Sequence, residues 1–187
     1  KVARLLQETE PGKAGSYQES ALKALAFGLS EKQKLESQAG WQNLSKGRKQ
    51  SVEDEKIYAV TECYHLTNDK KWHELIKNSG CFEKAPEQFS TTLLDAAFTY
   101  ANMDDSLTTE ELRAKAREAV TQKANVMLAM LRANAFNLTH RVPDHTVLNG
   151  YYSAVNNQEL CRAHYMTNKQ EYLEACILSC QFTAGAN

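Results

Sequence analysis

Residues 62–76 read ECYHLTNDKKWHELI, and the way this stretch is parsed decides the fold. Tyr64 and Leu66 lead into the polar triplet Thr67-Asn68-Asp69, and Trp72, Leu75 and Ile76 follow at helical spacing. No apolar/polar alternation of period two is present, so two helices meeting at a polar corner are predicted rather than strands. Asn68 is expected to cap the second helix through its side-chain oxygen. Trp72, four residues later, is expected to turn inward onto the first helix. Such a unit is an αα-hairpin.

Residues 162–176, RAHYMTNKQEYLEAC, echo this pattern. Thr167, Asn168 and Glu174 match Thr67, Asn68 and Glu74, and Tyr172 takes the place of Trp72. Tetratricopeptide-like solenoids stack hairpins of this kind at periods of about 34–47 residues. Here the two copies lie 100 positions apart, with no intermediate unit carrying the same landmarks. The expectation is an all-α, irregular multi-helix domain of about nine to ten helices built from αα-hairpins. A TPR-like α-solenoid is the alternative.

The rest of the chain supports an all-α reading. Only 8 Gly and 3 Pro occur in 187 residues, few breakers for a fold rich in turns. A short helix ends near Pro11-Gly12, and Ser16 with Glu19 forms a capping box for the next, striped by Leu22, Leu25 and Leu29. A polar helix is predicted over 30–40. Residues 40–50 read as a linker carrying Lys46, Arg48 and Lys49, and Ser51 opens the following helix. Pro86 suits the first position of a helix with the stripe Phe89, Leu93, Ala97 and Tyr100. Thr108 and Glu111 cap the longest helix, extending to about 135. A helix over 144–155 and a final pair around the second corner complete the order. The organisation expected is an N-terminal part, 1–50, and a main helical part, 51–187, or one continuous domain. A start at Lys1 suggests excision from a larger protein.

Charge and cysteine usage narrow the function. The formal net charge is −1. Residues 1–50 hold 9 basic and 5 acidic side chains, 51–111 hold 5 and 13, and 112–187 hold 8 and 5. An acidic middle with mildly basic ends lacks the concentrated basic face of a nucleic-acid binder. Five cysteines at irregular spacing do not form a disulfide framework. Free thiols favour a reducing, cytoplasmic location. Two glycosylation-type triplets, Asn43-Leu-Ser45 and Asn137-Leu-Thr139, carry little weight beside them.

Three patterns invite a chemical reading. Cys161-x2-His164 and Cys176-x3-Cys180 are zinc-type ligands. Counted from the corner, the mean heights of the two pairs differ by roughly 8 Å at a rise of about 1.5 Å per residue, too far for one tetrahedral ion. Cys176 and Cys180 also fit an apolar stripe with Leu173 and Ile177, where thiols act as small hydrophobes. Glu62-x-x-His65 is half of a di-iron site, with no second half. Nucleophile elbows, phosphate loops and zinc-protease motifs are missing. No metal, cofactor or catalytic residue is therefore assigned. A cysteine-nucleophile enzyme, for example pairing Cys81 with His140, remains an alternative.

Recognition is assigned to the irregular segment 131–145, LRANAFNLTHRVPDH, where Arg132, Phe136, His140, Arg141 and His145 gather. Loops on a rigid helical scaffold carry recognition, and arginine beside an aromatic suits an acidic or phosphate group. The plainer role for Phe136 and Leu138 is to close the core. The function expected is a non-catalytic protein–protein interaction domain of a larger intracellular protein, contacting its partner through this loop or the acidic faces of 51–111. A membrane or phosphoinositide-binding domain is the alternative partner class, in which the loop meets an anionic lipid head group.

Overall fold

A computed structural model describes residues 1–30, 46–135, 137–139 and 157–183. Among the described residues the chain is all-α, with eight α-helices and no strand. They are α1 (Val2–Leu6), α2 (Pro11–Gly28), α3 (Lys46–Thr67), α4 (Lys70–Asn78), α5 (Thr91–Ala101), α6 (Glu110–Arg132), α7 (Gln158–Thr167) and α8 (Gln170–Thr183). The count is lower than the nine to ten read from sequence. The helices predicted over 30–40 and 144–155 fall outside the described residues. Lengths of 5, 18, 22, 9, 11, 23, 10 and 14 residues show no repeating unit, so the architecture is irregular.

Several helix starts differ from the sequence reading. Pro11 opens α2 directly, because a proline at the first turn gives up an N–H that would have no helical partner. Ser16 is therefore interior, and its hydroxyl donates to the carbonyl of Gly12 at 3.3 Å. Lys46 begins α3 ahead of Ser51. Pro86 starts only a 3-10 turn, Pro86–Gln88. The helix proper waits for Ser90, whose hydroxyl accepts from the N–H of Leu93 at 3.1 Å. Thr109, not Thr108, accepts from the N–H of Leu112 at 3.4 Å. Thr108 instead receives the Arg113 guanidinium, which also holds Asp105 and the carbonyl of Met103.

The helices form two compact units, residues 1–83 with 90–113, and residues 84–89 with 114–187. In the first, α3 packs on α5, with Val60, Leu93, Leu94, Ala97 and Tyr100 buried between neighbours. Tyr100 accepts from the N–H of Thr109 at 3.4 Å and pairs with His73 Nε2 at 2.8 Å. Tyr64 donates to the carbonyl of Leu107 at 2.5 Å. The rings of Tyr64, His73 and Tyr100 lie 5.2 and 6.0 Å apart in sequence of contact. This cluster satisfies the polar tip of each buried aromatic, as burial requires.

In the second unit Ala124, Met127, Leu128 and Leu131 of α6 meet Leu160 and Ala163 of α7 and Tyr172, Ala175 and Cys176 of α8. Tyr172 reaches Asn125 with its hydroxyl at 2.7 Å. A buried polar chain runs beside this core: Thr139 donates to Asn157 at 2.5 Å, and Asn157 donates to Ser179 at 3.0 Å. The Thr139 hydroxyl of the glycosylation-type triplet is thus engaged inside the fold.

Candidate functional site

Of the five residues assigned to recognition, the structure describes one. Phe136, His140, Arg141 and His145 lie outside the described residues. Arg132 ends α6, is exposed, and pairs with Glu171 of α8 at 3.0 Å. Beyond it Asn134 donates to the carbonyls of Met130 and Leu138 at 2.6 and 2.8 Å, and accepts from the N–H of Leu138 at 3.0 Å. Leu138 is buried, which is the core-closing role named for it. The described part of this segment is therefore a stapled helix end.

The acidic middle of the chain offers a better-formed feature. Between α2 and α3 runs a groove of about 440 Å³, lined by Ala21, Ala24, Leu25, Gly28, Val52 and Ala59. Only Ala14 and Leu25 of the 18 residues of α2 are buried, so most of that helix faces outward. Phe27 and Tyr17 are more than half exposed on it. On the α3 side the groove is also lined by Glu55, which is exposed, and by the partly buried Lys56 and Glu62. The small residues at 21, 24 and 28 were visible in sequence at helical spacing. What made them a groove was the position of α3.

Glu62 and His65, the half-motif for a di-iron site, are occupied by a cation of the chain itself. Arg4 of α1 donates to Glu62 Oε2 at 2.9 Å and approaches His65 Nδ1 at 2.6 Å. Thr99 donates to the other Glu62 oxygen at 3.2 Å. Burial, then the Arg4 charge, pushes the His65 imidazole below its usual range, while Glu62 acts in the opposite sense. The cluster fastens α1 to α3.

The zinc-type set separates in an informative way. His164 is turned to the carbonyl of Lys169, 3.0 Å from Nδ1. Cys161 and Cys176 instead come together across the hairpin, their sulfurs 3.1 Å apart. Cys161 is exposed, Cys176 buried and Cys180 partly buried beside it. Burial above all, then hydrogen bonding to Cys161 and the nearby Cys180, pushes the Cys176 thiol far above its ordinary range. Among the described residues no group of three or more His, Cys, Asp or Glu side chains is arranged to hold a metal ion. The sequence estimate compared pair averages. Taken singly, Cys161 and Cys176 differ in height by about two residues, roughly 3 Å, and that comparison finds the contact.

No helix among the described residues is long and apolar enough to cross a membrane. No known protein family, curated protein or solved structure matches this chain.

Proposed function

We propose that this chain is a helical domain that binds another protein rather than catalysing a reaction, within a larger intracellular protein. The observation that carries this reading is the α2–α3 groove, lined mainly by apolar and small residues, with Glu55, Lys56 and the Arg4-paired Glu62 on its α3 side. Its occupant is an amphipathic helix of the partner. Alanine and glycine on the α2 wall let a second helix approach closely, with its apolar stripe read at i, i+3, i+4 and i+7. The excess of 13 acidic over 5 basic residues across 51–111 favours a helix with lysine or arginine flanking that stripe.

The test uses a fluorescent synthetic helix with a leucine stripe flanked by lysines, followed by anisotropy. The chain binds it, Ala24→Glu and Glu55→Lys each weaken binding about tenfold or more, and added salt weakens it further. Ala24→Glu puts a bulky charge on the exposed α2 wall, while Glu55→Lys alters an exposed α3 wall residue, so both leave folding intact. Paired charge reversal at Arg132 and Arg141 leaves the affinity unchanged. Equal affinity for wild type and both groove variants contradicts the proposal, and loss only in the Arg132/Arg141 variant moves the surface to segment 131–145.

A further inference from the structure

We propose that Cys161 and Cys176 form a redox-active dithiol, a modification site that reacts with low-molecular-weight disulfides and closes a reversible bond between α7 and α8. Three observations lead there. The two sulfurs come from different helices of one hairpin and already stand 3.1 Å apart, so a bond of about 2.0 Å needs a movement of about 1 Å. One thiol is exposed and the other buried in the core of α6, α7 and α8, which gives an entry sulfur and a resolving sulfur. The remaining neighbour, Cys180, sits one turn from Cys176 on α8. Side chains at i and i+4 on a helix have Cβ atoms about 5–6 Å apart, beyond the roughly 3.5–4.5 Å a disulfide spans. The bond therefore forms between helices and not along one.

The chemistry balances without any further reactant. The Cys161 thiolate, its proton released to solvent, attacks one sulfur of the small disulfide. A mixed disulfide forms and one small thiolate leaves, taking up a proton. Cys176 then gives up its proton and attacks the Cys161 sulfur, expelling the second small thiol. Two protein thiols are oxidised to one disulfide, and one small disulfide is reduced to two thiols. Burial shields Cys176 from the small disulfide in solution, and Cys161 alone brings a disulfide to it at contact distance.

The experiment treats the folded, fully reduced chain with oxidised glutathione, quenches in acid, alkylates the remaining thiols in denaturant and reads the intact mass and the linked peptides. The wild-type chain loses two of its five alkylatable thiols and yields a Cys161–Cys176 linkage, reversed by a dithiol reductant. Cys161→Ser, at an exposed position, keeps its four thiols open to alkylation. Cys176→Ser retains glutathione on Cys161, and Cys180→Ser still closes the bond. Should Cys176→Ser fail to fold, the linkage map of the wild-type chain decides alone. A wild-type chain that keeps five alkylatable thiols, retains glutathione at Cys161, or links Cys161 to Cys180 overturns the proposal.

Discussion

The corners at 67–69 and 167–169 share one construction and enclose different chemistry. Asn68 and Asn168 both adopt the left-handed conformation, with φ of 57° and 55°. Their N–H groups donate to the carbonyls of Tyr64 and His164 at 2.8 and 2.7 Å. Thr67 and Thr167 both donate to the carbonyl four residues back, at 2.8 and 2.6 Å, and both accept from the residue two ahead at 3.3 Å. Trp72 and Tyr172 are both buried. Inside the first corner lies a stack of rings, inside the second a pair of thiols. The shared part lives in the backbone, and the difference lives in which side chains face across the hairpin.

Asparagine's part in these corners is therefore not the one the sequence suggests. It ends the first helix with a left-handed residue, where its short polar side chain tolerates a conformation that costs others about 1–2 kcal/mol. The second helix is capped in one corner by Asp69, whose carboxylate accepts from the N–H of Lys71 at 3.1 Å. Lys169 supplies no such group.

Much of the fold was legible because helical periodicity and inward aromatics are local signals. Leu93, Ala97 and Tyr100 are buried as their spacing required, while Phe89 is buried although it precedes the helix in extended backbone. Where two helical faces were open, local pattern failed. Leu75 and Ile177 were read inward yet are 44% and 52% exposed, because Trp72 with Ile76 and Tyr172 with Cys176 take the buried faces of α4 and α8. The candidate site was less legible still. A groove and a thiol contact are properties of two helices at once, and neither helix announces them alone.

Trp72→Ala and Tyr172→Ala each cost about 3–5 kcal/mol, measured by urea unfolding with circular dichroism; a loss below about 1 kcal/mol at either ring would mean that ring does not pin its corner. Oxidising the Cys161–Cys176 pair stabilises only the second corner, by about 3 kcal/mol for a loop of about 15 residues, read as a urea midpoint that falls again on reduction. Tyr172→Phe removes the bond to Asn125 and costs about 1 kcal/mol.

The smallest effect concerns Asp69. Its hydrogen bonds to Lys71 hold its carboxyl below the usual carboxylate range. The resulting stabilisation is complete above the unfolded carboxyl pKa, about 3.9, and is lost as pH falls through the lower folded value. Asp69→Ala is thus less stable than wild type at neutral pH, and the gap closes in acid. Lys169→Asp gives the second corner a smaller acid-sensitive increment, by thermal unfolding across pH, because Glu171 stands where Lys71 stands in the first and only the backbone N–H can hold the new carboxylate.

The most direct test of the shared construction substitutes glycine and alanine in turn at 68 and at 168 and compares unfolding free energies. A left-handed asparagine predicts the same order at both sites: glycine as stable as asparagine or more so, alanine less stable by about 1–2 kcal/mol. Alanine matching glycine at either site would contradict it.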